Sequence, residues 1–334
     1  MSARTAARTA PRSAPLGHSP FAPEAPVLAP EKFVDPQHTA DGSERASVPL
    51  TTLETLWFNT GTLCNLACAG CYIESSPTND ALVYLTARDV ARFLDEIGTR
   101  SLSTREIGFT GGEPFMNPEI MAMLQEALER GFDVLVLTNA MKPMRRHEAA
   151  LKALREKHGA SLTLRVSLDH YTPGIHEAER GADTWHKALD GLRWLAENRF
   201  SIAVAGRLLP HESEAEARNG YAALFAEQAL PIDALDPAWL VLFPEMDAQA
   251  DIAEITTDCW QILGKSPTEP MCATSRMVVH RKSETAPRVA ACTLLPYDPQ
   301  FDLGDTLAEA SQPVRLNHPH CARFCVLGGA SCSA

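Results

Sequence analysis

Three cysteines, Cys64, Cys68 and Cys71, lie close together in the segment NTGTLCNLACAGCYIESSP at residues 59–77. A structural zinc site takes four donors, usually as two pairs, and a disulfide framework takes an even number of cysteines in a small secreted chain. An iron–sulfur cluster held by only three thiolates instead leaves one iron free to bind a small molecule. The CX3CX2C spacing favours the cluster, with zinc open as an alternative.

A second motif, FTGGEPF at residues 109–115, ends a predicted strand. Glycine lets the backbone approach a ligand closely because it has no Cβ atom, and Glu113 can accept a hydrogen bond from an ammonium group. A tight turn between a strand and a helix is the plainer interpretation. Because the three cysteines follow the preceding strand, the two motifs together favour a ligand site.

The elements that must position these motifs alternate in type from about residue 51. Strands rich in β-branched and large apolar residues are predicted at 55–59, 105–110, 132–138, 162–168, 201–208 and 239–243. Helices are predicted between them at 86–97, 117–131, 146–157, 184–197 and 214–228. The alternation predicts an α/β fold, a partial (β/α)6 TIM-like barrel over residues 51–250. In such barrels the chemistry lies at the carboxyl ends of the strands, where both motifs fall.

The alternation stops near residue 245, and six further cysteines follow it. The segment SRMVVHRKSETAPRVAAC, residues 275–292, predicts a β-hairpin of two short strands around a polar turn. We expect residues 251–334 to form a separate small Cys-rich β-hairpin module. Without an export signal the cysteines would lie in a reducing compartment, which favours metal or redox chemistry over disulfides.

Composition limits the class of protein. The chain has 334 residues, of which 45% are hydrophobic, and its net charge of −12 argues against general nucleic-acid binding. No apolar run approaches the roughly 20 residues that span a bilayer, so no membrane partner is expected. Residues 1–50 are Pro-rich and predict a disordered tail. They lack the apolar stretch of a secretory signal, so a cytoplasmic location is expected.

With both motifs on successive predicted strands, the sequence resembles the radical S-adenosylmethionine (SAM) superfamily over roughly residues 52–245. The resemblance implies a [4Fe–4S] cluster on Cys64, Cys68 and Cys71, whose open iron binds the amino and carboxylate groups of SAM. An external electron donor of the flavodoxin or ferredoxin type is also implied. One electron then cleaves SAM to methionine and a 5′-deoxyadenosyl radical, which abstracts a hydrogen atom from the substrate.

The resemblance also implies residues that bind SAM. The motif Gly111, Gly112, Glu113 and Pro114 is similar to the family's element for the SAM amino group. Asn139, in LTNAM at the end of the third predicted strand, resembles the family's TNG element. For Asn139 an ordinary turn or cap role is equally open.

Further candidates follow the fourth and fifth predicted strands. Ser167 and Asp169 lie where family members contact the ribose or carboxylate of SAM, and Arg207 could pair with that carboxylate. An ordinary cap or surface role is equally open for these three residues. One departure is visible, because Gly70 stands where the family places an aromatic residue over adenine. Tyr72 is the nearby candidate for that contact.

The C-terminal cysteines resemble the auxiliary-cluster module called SPASM, and more closely its shortened form, twitch. The resemblance is carried by one cysteine at each end of the hairpin, the segment FDLGDTLAEA and a Cys-rich end. It implies one auxiliary [4Fe–4S] cluster, although four cysteines suit zinc equally well. Cys332 is the alternative to Cys325 as the fourth ligand of the cluster, and Cys259 is interpreted as a buried thiol. The preferred ligands are Cys272, Cys292, Cys321 and Cys325.

An auxiliary cluster can accept the second electron from a substrate radical, which predicts a net two-electron oxidation of a small metabolite or a peptide side chain. No catalytic residue is assigned. Only about 50 residues precede the first predicted barrel strand, which disfavours a fused leader-binding domain. The alternatives are a peptide maturase with a separate leader-binding partner and an iron–sulfur electron carrier without SAM turnover. Candidate polar groups near the substrate are Tyr84, His170, Tyr171, His176, Glu245 and Asp247.

Overall fold

Strands and helices alternate along the computed structural model, which describes residues 19–22 and 25–329. The strands are β1 (Ser47–Val48), β2 (Thr55–Asn59), β3 (Glu106–Thr110), β4 (Asp133–Thr138), β5 (Leu162–Ser167), β6 (Ser201–Leu208), β7 (Leu240–Pro244), β8 (Ser275–Val279), β9 (Arg288–Ala290) and β10 (Val314–Arg315). The α-helices are α1 (Ala87–Thr99), α2 (Ile120–Glu129), α3 (Lys142–Arg145), α4 (Glu148–His158), α5 (Pro173–Arg180), α6 (Thr184–Glu197), α7 (Glu214–Glu227) and α8 (Cys259–Leu263). A π-helix covers Cys321–Leu327.

One sheet organises the molecule, with strand order β7-β6-β5-β4-β3-β2-β8-β9. Neighbours from β7 to β8 are parallel, and only β8 and β9 pair antiparallel. The predicted barrel strands agree with β2 to β7 within one residue at every boundary. The predicted α/β fold with a parallel sheet is therefore confirmed. The prediction succeeded because strands covered on both faces are continuous apolar runs.

The predicted helices also form. In α1 the residues Val90, Phe93, Leu94 and Ile97 are buried along one face, and Thr86 caps the helix with a capping box. The short helix α5 was not predicted, because it is polar and only eight residues long. It nevertheless carries buried side chains that face the carboxyl ends of the strands.

The segment that follows the barrel returns to the same sheet. Strand β8 lies parallel to β2, with Thr55 opposite Ser275, and all five residues of β8 are buried. Strand β9 then pairs with β8, with Met277 opposite Ala290. The C-terminal segment is thus hydrogen-bonded directly to the first barrel strand, which places it beside the cysteine-bearing loop.

The prediction of a disordered tail over residues 1–50 is wrong for residues 25–50. Strand β1 pairs with β10, and Ala46 and Val48 are fully buried. The buried Arg45 guanidinium lies 2.5 Å from the Glu254 carboxylate. A buried ion pair of this kind holds both segments in place, because separating it leaves an uncompensated charge. The remainder of that prediction, at residues 1–18 and 23–24, lies outside the described residues, as does Cys332.

Within the described ranges, no helix combines the length and the apolar character that crossing a membrane requires.

Candidate active site

A cavity of about 180 Å³ lies at the carboxyl ends of the parallel strands. Each strand from β2 to β7 contributes residues from its end or from the loop that follows. The structure therefore brings together most of the site residues predicted from sequence. Those lining the cavity are Cys64, Cys68, Cys71, Tyr72, Gly111, Gly112, Asn139, Ser167, Asp169 and Arg207.

The cysteine loop, residues 60–77, presents its sulfur atoms among N–H donors. The backbone N–H of Leu66 lies 3.4 Å from Cys64 Sγ, and that of Ser75 lies 3.3 Å from Cys71 Sγ. Hydrogen bonds to sulfur are among the groups that tune iron–sulfur clusters. In the described part of the chain, no three Cys, His, Asp or Glu side chains are arranged around a single metal ion. Thiolates that hold a cubane each bind a different iron, and the three cysteines that line this cavity are the donor set that such a cluster takes.

Burial favours the neutral form of two thiols in the cysteine loop. Burial raises the pKa of Cys64 to about 12. Burial also raises the pKa of Cys68, while the Arg180 guanidinium opposes that shift. A coordinating thiol loses its proton to the field of the metal. The loop is therefore built to become anionic when a metal centre is bound.

Glu113 contacts two residues that line the cavity, Thr138 and Asn139. It does not line the cavity, and only 1% of the residue is exposed. Its Oε1 accepts from the Thr138 hydroxyl at 2.9 Å and from the Phe115 N–H at 3.2 Å, and its Oε2 accepts from the Asn139 N–H at 2.8 Å. Burial raises its pKa to about 7. The carboxylate joins the ends of β3 and β4, and its contact with a SAM ammonium group stays a prediction.

The two glycines of the motif have a physical role that the sequence did not indicate. A Cβ atom at Gly112 would lie 2.3 Å from the Leu63 carbonyl oxygen, and one at Gly111 would lie 2.6 Å from that of Gly61. The Gly112 N–H donates to the Gly61 carbonyl at 2.8 Å. The close approach is thus to the backbone of the cysteine loop, and any side chain there would push the loop away.

Five charged residues form a carboxylate–guanidinium cluster beside the cysteine loop. Arg180 donates twice to Asp169, at 2.6 and 3.2 Å. Arg207 donates to Glu179 at 2.7 Å and to Glu245 at 3.2 Å. Burial and the two guanidinium groups act in opposite directions on Asp169, and the net effect lowers its pKa. Both arginines therefore stay charged next to the cysteines.

The space beside Gly70 explains the missing aromatic residue. A Cβ atom at position 70 would lie 2.6 Å from Glu179 Oε1 and 2.9 Å from Arg207 Nη1. An aromatic ring cannot fit there without displacing both groups. Tyr72 does line the cavity, and its contact with adenine stays a prediction.

Sequence reasoning missed Glu179 and Arg180. The available signal was their spacing from His176, because residues three and four apart share a helix face. None of the six polar candidates for the substrate region lines this cavity in the described part of the chain. Glu245 reaches it only through Arg207, and Tyr171 instead donates to Glu212 at 2.6 Å.

A second, smaller cavity is lined by four cysteines and apolar side chains. Burial raises the pKa of Cys272 to about 12 and raises that of Cys321. Two residues, Leu294 and His320, line both cavities and so form a shared wall. Cys259 lies elsewhere, on α8. The four cysteines are Cys272, Cys292, Cys321 and Cys325.

A partial parallel barrel whose first strand is followed by three cysteines at a carboxyl-end cavity defines the class of radical SAM domains. Residues 58–219 match the family model described as the Radical SAM superfamily. The match covers just under half of the chain and supports the resemblance to radical SAM domains seen in the sequence.

Three known proteins are similar to the chain. The subtilosin biosynthesis protein AlbA of Bacillus subtilis is 31% identical over 168 residues, which cover 50% of this chain and 35% of AlbA. A GTP 3′,8-cyclase of Streptomyces coelicolor is 31% identical over 184 residues, or 51% of each chain. The chain thus spans about a third to a half of these relatives. Streptococcus suis SuiB bound to its precursor peptide SuiA has the same fold, with a TM-score of 0.57 at 13% identity over 79% of this chain and 66% of that chain.

We expect a Glu113→Gln substitution to lower the free energy of unfolding of the metal-free chain by about 1–3 kcal/mol, because an amide cannot accept from all three donors at once. Urea unfolding followed by circular dichroism measures the change. Glu119→Gln is the matched control, since Glu119 lies near the surface and accepts from the Ala87 N–H. If Glu113 served only the SAM ammonium group, the unfolding free energy would equal that of the parent while SAM affinity fell.

Proposed function

We propose that the protein is a radical SAM oxidoreductase that cleaves SAM reductively and abstracts a hydrogen atom from its substrate. The observation that carries this proposal is the cavity shared by the cysteine loop and the ends of five further parallel strands. In the proposal, Cys64, Cys68 and Cys71 hold a [4Fe–4S] cluster. When bound, the cluster and SAM supply the electron transfer and the 5′-deoxyadenosyl radical. We assign the reaction to the cytoplasm, with an external flavodoxin or ferredoxin as donor.

In this proposal the chain's own residues bind the cluster and SAM, orient them, and shield the cavity from water. Gly111 and Gly112 keep the end of β3 against the cysteine loop, and Pro114 begins the short 3-10 helix that follows. Asn139 and Ser167 present polar groups to the cavity. Asp169 holds the Arg180 guanidinium near Cys68. Excluding water protects reactive intermediates from side reactions. The C-terminal segment serves this purpose, because it covers the cavity with Thr293, Leu294, His320 and Phe324.

We further propose that the second cavity holds an auxiliary [4Fe–4S] cluster of the twitch or SPASM type. Four thiols around one apolar cavity support this assignment, with zinc as the alternative metal. Cys332 is not needed for a complete set of four ligands. Because Leu294 and His320 line both cavities, a substrate radical in the first would lie one side chain away from the second. This short separation favours transfer of a second electron, and hence a net two-electron oxidation.

The substrate we propose is a peptide side chain. The support is the likeness to AlbA, whose name describes biosynthesis of the bacteriocin subtilosin. The apolar lining from Phe243, Met246, Leu294 and Phe324 also suits an amino acid side chain. A separate leader-binding protein would then be a partner. The likeness to a GTP 3′,8-cyclase supports a small metabolite as the second candidate.

Replacing Cys64, Cys68 and Cys71 together by Ala should remove about four irons per chain, the content of one cubane. It should also abolish formation of 5′-deoxyadenosine. Iron and sulfide assays after anaerobic reconstitution, with chromatography of SAM products under dithionite, measure both. Cys259→Ala is the control and should behave like the parent. A triple-alanine protein that still made 5′-deoxyadenosine would refute the assignment of the first site.

Replacing Cys272 and Cys292 by Ala should lower the iron content from about eight to about four per chain and leave the first cluster in place. The variant should still bind SAM and form 5′-deoxyadenosine, because the first site keeps its ligands. Metal analysis after anaerobic purification decides the identity of the second centre. Stoichiometric zinc in the parent protein would show that the auxiliary-cluster assignment is wrong.

With peptides encoded by neighbouring genes as substrates, the reduced enzyme should yield a product lighter by two hydrogens, with one 5′-deoxyadenosine formed per event. Mass spectrometry follows the peptide and chromatography follows SAM. The Cys272/Cys292 variant should form 5′-deoxyadenosine without this product, because the second electron has no acceptor. A product that gains a group from SAM, or SAM regenerated after each turnover, would contradict a net oxidation.

A further inference from the structure

The cysteine loop is bonded to one buried carboxylate on helix α5. Glu179 is 1% exposed, and its Oε1 accepts from the Gly70 N–H at 2.6 Å. The backbone carbonyl of Glu179 also accepts from the Ala69 N–H at 2.8 Å. Both N–H groups lie between Cys68 and Cys71. A single helix residue thus satisfies the two backbone donors of the turn that separates two of the cysteines.

Arg207 on β6 completes this connection. Its Nη2 donates to Glu179 Oε1 at 2.7 Å and to the Gly70 carbonyl at 3.3 Å. Its Nη1 donates to both oxygens of Glu245 at 3.2 Å. The N–H and the carbonyl of Gly70 are therefore both bonded to the same ion pair, and the guanidinium has its partners within the protein.

Gly70 belongs to the same unit for a steric reason. A Cβ atom there would overlap Glu179 Oε1, at 2.6 Å. The Glu179 carboxylate therefore occupies the space that a side chain at Gly70 would fill. We call Gly70, Glu179 and Arg207 the loop brace.

Buried ion pairs are often only part of the packing of a fold. The loop brace differs from such a pair because both of its charged groups also bind backbone. The Glu179 carboxylate and the Arg207 guanidinium each form a hydrogen bond with the backbone of the cysteine loop. We infer that Glu179 and Arg207 are positioning residues that fix the Cys68–Cys71 turn for cluster binding. Arg207 acts in this way rather than by pairing with the carboxylate of SAM. The inference rests on the proposed function for the cluster, and the brace itself is testable in the metal-free chain.

Hydrogen–deuterium exchange of the metal-free full chain tests the brace directly. We expect Glu179→Ala to speed exchange of the Gly70 amide about tenfold, the effect of losing one charge-assisted hydrogen bond. Glu179→Gln keeps an acceptor for this amide and should stay close to the parent. Glu214→Ala, which removes an exposed helix pair with Arg218, is the control and should change nothing at the loop. Equal Gly70 exchange in Glu179→Ala and the parent would overturn the inference.

A double-substitution cycle covers the case in which one variant folds poorly. Gly70→Ala should speed exchange across the loop by itself, because the methyl group displaces the carboxylate. In a Glu179→Ala background the same substitution should add less, since the closest overlap is then gone and only the flexible end of Arg207, at 2.9 Å, has to shift. Additive effects of the two changes would show that Gly70 and Glu179 act independently, and the brace would be rejected.

The reconstituted protein distinguishes a positioning role from a purely structural one. We expect Glu179→Ala to lower iron incorporation at the first site and to alter the electron paramagnetic resonance spectrum of its reduced cluster, with recovery in Glu179→Gln. A loss of unfolding free energy with an unchanged spectrum would mean that the pair only packs the fold. Arg207→Lys separates the two roles of this residue. If this variant binds SAM more weakly while the Gly70 amide exchanges at the parent rate, Arg207 pairs with the carboxylate of SAM and the inference is wrong for this residue. If the reconstituted parent protein makes no 5′-deoxyadenosine, the proposed function is wrong. The exchange experiments on the metal-free chain still show whether Glu179 and Arg207 hold the Cys68–Cys71 turn.

Discussion

The structure depends on hydrogen-bonding the backbone of the loop that lines the cavity at the ends of the strands. Buried N–H and carbonyl groups need partners, and a loop has no ladder of its own to supply them. Here the partners come from neighbouring strand ends and one helix. The Gly61 carbonyl accepts from Gly112, and the N–H groups of Ala69 and Gly70 donate to Glu179. These bonds attach the loop that carries the three cysteines to the end of β3 and to α5.

The C-terminal segment is joined to this unit through the sheet and through side chains. Strand β8 lies next to β2 with Ser275 opposite Thr55, so Cys272 and Cys292 lie at the end of the hairpin beside the start of β2. The hairpin turn reaches the chain beyond β2, where the Val83 N–H donates to the His280 carbonyl. The Tyr297 hydroxyl donates to the Ile73 carbonyl at 2.9 Å, which ties the segment to the cysteine loop. The shared wall of Leu294 and His320 follows from this arrangement. The proposed transfer of a second electron between the two cavities rests on this shared wall.

Much of the fold and part of the site could be predicted from the sequence, because the relevant signals are local. Apolar runs between turn residues located β2 to β7, and the spacing of Val90, Phe93, Leu94 and Ile97 located α1. The three cysteines and the GGEP motif follow successive strands. Because parallel strands end at the same edge of a sheet, both motifs could be assigned to one site from the sequence. These features needed no knowledge of which distant residues touch.

The tertiary structure decided what the polar side chains contact. The sequence by itself determined that Glu113 and Arg207 stand at strand ends, but both bind protein partners that lie far along the chain. Glu179 was missed because α5 is short and polar, so that its spacing from His176 was only a weak signal. The buried Arg45 pairs with Glu254 across more than 200 residues. Local periodicity specifies elements and their buried faces, whereas the partner of a buried charge depends on which elements the sheet order places side by side.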